Sequence, residues 1–227
     1  MINLIYNFSG WAIFAVLISY FSALLIAMSF HEFAHAFVAY HEGDPTPKAF
    51  RRLTLKPFNH VDTLGFLSLI IFGFGWAKPV PVNPNNFKHK KWGSLWVSSA
   101  GIITNFLLAF LFSGIYVVFY RYFGDFLFAT NFYSVMLYHF LIYSIIINIA
   151  LAIFNLLPIY PLDGFRIGEL AWGEHSTFSI ALKRYSIFIM VLLLLTGIVG
   201  SIISYCSNGV LNGFINVWSW IFGGFTN

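Results

Sequence analysis

Residues 11 to 40 run without a proline and with Glu32 as their one formal charge. In hydrocarbon every backbone polar group has to pair inside the protein, so a run of this kind crosses a bilayer as a helix. At 1.5 Å per residue it is more than long enough for a core about 30 Å thick. Glu42, Gly43, Asp44, Pro45 and Pro47 then stop it. Composition agrees: 59% of the 227 residues are hydrophobic and 9% charged, against about 25% charged in soluble domains. Mean hydropathy is +0.79, which points to an integral membrane protein. Further spans are expected at Gly93 to Tyr120, Phe132 to Leu157 and Arg184 to Tyr205, with a last apolar stretch, Val210 to Phe222, that is a short crossing or an interfacial helix. Leu64 to Trp76 is too short for a crossing and basic on both flanks, so it reads as re-entrant or interfacial. The AKPVPVNPNNF stretch after it reads as extended chain rather than helix. MINLIYNFSG lacks a basic n-region and reads as part of a retained span rather than a signal peptide.

A net charge of +4 and a pI near 9.2 would suit nucleic acid, but the distribution points elsewhere. Eight of the 12 Lys and Arg fall between Lys48 and Lys91. Such clustering beside spans is the positive-inside pattern, which puts this loop in the cytoplasm and in reach of anionic lipid. The single cysteine, Cys206, leaves no internal disulfide and no cysteine zinc site, and packing is its expected role.

The first apolar run ends in chemistry. His31, Glu32 and His35 form H-E-x-x-H, and residues four apart stack on one helix face, so both imidazoles can reach one ion. Glu32 lies about 100° round the axis from His31. That suits a general base beside a metal-activated water. A catalytic zinc site usually takes three protein ligands, so a third must come from elsewhere. The expected topology brings the end of the first span and the end of the third to one face of the membrane. At the latter Pro158 and Pro161 break the helix just before Asp163. Backbone freed at that depth has to be buried in protein or line a wet cavity. By spacing alone Asp163 is either the third ligand, a cap on a following helix, or a partner of Arg166.

HEFAH on a membrane helix together with NLLPIYPLDG later in the chain resembles the site-2 protease family of intramembrane zinc metalloproteases. SSAGIITNFLLA is similar to the family's A-G-P-x-x-N stretch, with Ile102 where proline is usual and Asn105 matching the asparagine. WAKPVPVNP is similar to compact members without a PDZ domain. The resemblance implies a Zn2+ ion held by His31, His35 and Asp163, with Glu32 as catalytic base and Asn155 contacting the substrate carbonyl. Read on its own, Asn155 can equally stabilise the broken helix. The fold implied is an all-α polytopic membrane protein, one domain over residues 1–227. Its three-helix catalytic core covers 10–165, with a re-entrant or extended segment within it, and 166–227 add about two hydrophobic helices.

The activity implied is hydrolysis of a peptide bond in or next to a transmembrane helix, near the cytoplasmic side, as in regulated intramembrane proteolysis. The partners expected are a transmembrane protein substrate and the lipid bilayer, not nucleic acid. The location expected is a bacterial or archaeal cell membrane, with the active site toward the cytoplasm. A membrane metal-binding or transport protein and an inactive protease-like scaffold are the rival readings. His41 is expected near headgroups or water, His60, His89 and His175 in solvated loops, and His139 at the opposite side of the membrane as a packing or gating residue.

Overall fold

The computed structural model describes residues 10–72 and 75–223, so the reading of MINLIYNFSG falls, but for Gly10, outside the described residues. In chain order these form α1 (Trp11–His41), the one-turn α2 (Thr46–Ala49), α3 (Thr63–Phe72), α4 (Lys90–Tyr122), the one-turn α5 (Gly124–Leu127), α6 (Phe132–Leu156), α7 (Asp163–Trp172), α8 (Thr177–Leu195) and α9 (Ile198–Ile221). Five of them, α1, α4, α6, α8 and α9, are long and apolar enough to cross a membrane. The described residues hold no strand, only one antiparallel bridge between Val61 and Ala77. The chain is an all-α polytopic membrane protein, as expected.

The core is α1, α4 and α6, each packed on the other two. Lipid is as apolar as a leucine side chain, so helices in a bilayer associate through close packing of small residues and through hydrogen bonds. On α1 one row does this: Ala15, Ser19, Ala23, Ala27, His31, His35 and Ala39, every fourth residue, are all buried. Four residues advance about 400°, so the row drifts about 40° round the axis per step. Near its start Ser19 donates to the Met136 carbonyl of α6 at 2.7 Å, and near its end Ala39 packs with Val97 of α4. The two histidines thus occupy seats in the helix-packing row.

α9 runs along α4 in the same direction. Phe214 meets Phe106 and Phe110 edge-on, and Trp218 stacks on Phe110 while donating its indole N–H to the Phe110 carbonyl at 2.8 Å. Cys206 packs on the cluster of Ala109, Ile145, Ile149 and Ile153. The span expected at Arg184 to Tyr205 is corrected: the chain turns in its middle, at Gly197 with φ 71°, between α8 and α9. That left-handed backbone is open to glycine at little cost and ends helices frequently. The true α8 starts earlier, where the Ser176 hydroxyl accepts the Ser179 N–H at 3.1 Å. Val210 to Phe222 is accordingly no separate segment but the second half of α9 and its C-cap.

Between α1 and α4 the chain makes a hairpin beside α1. α3 leaves from Val61, the chain comes back at Ala77, and the bridge between these two closes the base. Phe66 packs 5.7 Å from Phe21 of α1, ten residues and so about 15 Å along the helix from His31. A ten-residue helix whose two flanks meet at one bridge leaves and returns at the same end of the core. The returning chain stays extended to Asn83, with a 3-10 turn at Pro84–Asn86. The Lys78 N–H donates to the His60 carbonyl at 2.8 Å and the Asn83 N–H to Asp44 Oδ2 at 2.7 Å.

Asp44, fully buried just beyond α1, also accepts from the Thr46 N–H and hydroxyl and from the Asn86 amide. Burial raises its pKa, but these donors outweigh that and hold it below the ordinary carboxylate value. His60 is not solvated as expected; it is 1% exposed, with Nε2 2.7 Å from the Thr54 carbonyl, because the loop folds over it to anchor the hairpin base. His41, His89 and His175 are at the surface.

Candidate metal centre

Three elements converge at one end of the core. From the α1 row come His31 and His35, both buried. The approach of α4 is set by Gly101: a Cβ there would fall 2.4 Å from His31 Cε1 and 2.6 Å from each ring nitrogen. From beyond α6 comes Asp163, the first residue of α7. Leu162 is the N-cap of α7, so Asp163 does not cap it, and Arg166 is exposed. Gly164 makes this approach possible, since a Cβ there would sit 2.2 Å from the Leu156 carbonyl oxygen at the end of α6.

His31 Nε2 and His35 Nε2 lie 3.1 Å apart, and Asp163 Oδ2 lies 3.3 Å from the first and 3.2 Å from the second. Zinc bound tetrahedrally at 2.0–2.1 Å separates its ligand atoms by about 3.3 Å, so the triangle has the right edges. Protonation states fit as well. His35 Nδ1 is 2.7 Å from the Val97 carbonyl, which can only accept, so that nitrogen carries the proton and Nε2 presents a lone pair. His31 Nδ1 is 2.8 Å from Asn105 Oδ1, which likewise accepts. Asp163 Oδ2 is buried with no hydrogen-bond donor. Three acceptors at this spacing repel unless a cation lies between them. His31, His35 and Asp163 also form the one group of metal-binding side chains found among the described residues.

Glu32 stands outside the triangle, half-buried, and its Oε2 accepts the Val80 N–H at 3.1 Å. The extended 77–83 segment therefore passes beside the site. Asn155, also half-buried, donates to the Leu151 carbonyl of its own helix at 3.0 Å, one turn before α6 ends. Sequence reasoning did not foresee the partners that hold the imidazoles, the Val97 carbonyl and the role of Asn105, nor Asn148, which bonds Asn105 from α6 at 3.1 Å. Asn105 and Asn148 both carried a signal, as carboxamides inside the apolar runs IITNFLLA and SIIINIALAI.

Fold and site together define a polytopic membrane protein with a His-His-Asp group spaced so that it could hold a metal ion. Residues 19–197 match the profile of peptidase family M50, the site-2 protease family, and the chain belongs to that family. Over 146 residues it is 42% identical to a Bacillus subtilis (strain 168) protein named "Putative zinc metalloprotease YwhC", a match covering 64% of this chain and 65% of that relative's length. No solved structure gives a significant match.

Proposed function

We propose that the chain is a zinc-dependent intramembrane endopeptidase that cuts a peptide bond in or next to a transmembrane helix of another membrane protein. The observation that carries this reading is the triangle of two imidazole nitrogens and one carboxylate oxygen, 3.1 to 3.3 Å on each edge, with a further carboxylate, Glu32, one residue from His31 and outside the triangle. His31, His35 and Asp163 would hold the zinc, which when bound supplies a Lewis acid that polarises a carbonyl and eases ionisation of water. Glu32 takes the proton from the attacking water and returns it to the leaving amine. The Val80 N–H keeps Oε2 oriented for this.

Asn155 spends one amide hydrogen on Leu151 and has a second hydrogen for the substrate carbonyl. A spanning substrate helix hides its amides, so it has to unwind first, which Gly, Asn or Pro in the substrate makes less costly. An opened strand can then add along residues 77–83. Pro79 and Pro81 have no N–H, and those of Lys78, Val80 and Asn83 are already bonded, so that pairing would run mainly through carbonyls. The basic cluster between Lys48 and Lys91 lies at the motif end of the core and supports a cytoplasmic-side cut in a cell membrane, the arrangement of regulated intramembrane proteolysis.

The test is Glu32→Gln in purified protein, assayed on a single-span substrate with Asn-Gly in its cytoplasmic half. Zinc should be retained and cleavage lost; equal cleavage by the variant would overturn the reading. A survey of membrane proteins that accumulate at full length in cells carrying Glu32→Gln would then identify natural substrates.

A further inference from the structure

Inside the three-helix core a single file of hydrogen bonds leads from α6 to the centre. The Asn148 amide donates to the Ser144 carbonyl at 2.7 Å, the Asn105 amide donates to Asn148 Oδ1 at 3.1 Å, and Asn105 Oδ1 meets His31 Nδ1 at 2.8 Å. Asn105 and Asn148 are both 0% exposed, so no water competes for these groups. The direction of the file is determined at its far end. A backbone carbonyl only accepts, so Asn148 must turn its NH2 to Ser144 and its oxygen to Asn105. Asn105 must then turn its NH2 to Asn148 and its oxygen to His31. His31 is left to donate from Nδ1 and to present a bare Nε2 to His35 and Asp163.

We infer that Asn148 is a positioning residue for the metal centre: it sets the polarity of this file and so fixes the His31 tautomer that can bind a metal. This rests on the His-His-Asp centre proposed above. A carboxamide is nearly symmetric in shape, and without Asn148 the Asn105 side chain is free to flip. Flipped, it offers NH2 to His31 Nδ1, which moves the ring proton to Nε2 and blocks the ligand. Asn148 touches neither the centre nor Glu32, yet its loss acts on metal affinity.

The experiment measures zinc affinity of the purified full-length protein by chelator competition and the visible spectrum of the Co2+-loaded form. Asn148→Leu, close in volume, should weaken zinc by about 10- to 100-fold, the usual effect of losing an outer partner of a metal ligand, and should alter the Co2+ spectrum. An Asp at 105 can only accept and cannot flip, so in an Asn105→Asp background Asn148→Leu should bring no further loss. A merely structural role for Asn148 predicts the same loss in both backgrounds. Ser113→Ala, at a buried hydroxyl that bonds only the Phe110 carbonyl, should change nothing.

Equal loss in both backgrounds, or none in either while wild type binds zinc, overturns the inference. If Asn148→Leu does not fold, Asn148→Ala replaces it under the same criteria. Wild type whose metal content is unchanged by His31→Ala would overturn the centre itself, and the inference with it.

Discussion

Gly101→Ala is the most demanding test of the packing around the centre, because one methyl is set against one imidazole. The new Cβ would lie 2.4 Å from His31 Cε1 and 2.6 Å from Nδ1 and Nε2. Carbon contacts need about 3.5 Å, so ring or helix has to move by about 1 Å. Metal sites tolerate ligand displacements of about 0.2 Å. His31 is therefore lost as a ligand, or held far off its line, and the 2.8 Å contact with Asn105 is lost with it. Zinc affinity should fall on the order of 100-fold or more, about 3 kcal/mol, alongside an overpacking cost of about 1–3 kcal/mol to the fold. Chelator competition reads the first and thermal unfolding of the metal-free protein the second. Gly114→Ala serves as control: its Cβ meets the Trp218 ring at 2.6 Å, a comparable clash, but about 20 Å further along α4. It should lower stability and leave zinc affinity alone. If Gly101→Ala binds zinc like wild type, the close seating of His31 against α4 is refuted.

Asp44 has a folded-state pKa depressed below its ordinary value. Its contribution is thus fully present above about pH 4, the unfolded value, and is lost as pH falls through the folded one. Asp44→Ala should cost on the order of 2–3 kcal/mol at neutral pH, flatten this acid dependence and open residues 77–89 to protease; unchanged proteolysis would deny Asp44 its role in pinning that segment. Val80→Pro removes the one N–H between Pro79 and Pro81 and with it the bond to Glu32. Turnover should fall about 10-fold or more with zinc content unchanged, and wild-type turnover would show that Glu32 needs no such anchor.

Much of the site was legible because its spacing is local. His31 and His35 stand four apart in a sequence that is otherwise apolar, and the prolines at 158 and 161 mark the break that delivers Asp163. The row of Ala15, Ser19, Ala23 and Ala27 leading to the histidines is a helix-packing face that the structure, not the sequence reading, brought out. What was not legible depends on pairing between distant segments. The Glu32 contact with Val80 joins residues 48 apart and uses a backbone group, on which side-chain identity has no bearing. The partner of His35 is likewise a carbonyl, that of Val97. The turn at Gly197 was hidden because hydropathy continues across it, so a window average over 184–205 reads as one span. His60 looked like a loop residue because polar neighbours surround it in sequence; the hairpin that buries it is tertiary.

The placement of Asp163 accounts for how a carboxylate can be stored so close to the core. It begins α7, where the first N–H groups of a helix carry partial positive charge that favours an anion. That offsets only part of the cost of burial, and the two Nε2 atoms that face it give no proton, since both histidines spend theirs on Nδ1 partners. The remaining imbalance is local to the triangle, and a divalent cation at its centre removes it for all three groups at once. Such a cation also joins α1 to the α6–α7 connection, two parts of the chain separated by more than 120 residues. α1 and α6 already pack on each other, while Gly101 lets α4 close on His31 and Gly164 lets α7 close on the end of α6. Metal would thus add one more link, at the end of an α1–α6 interface that helix packing has already formed.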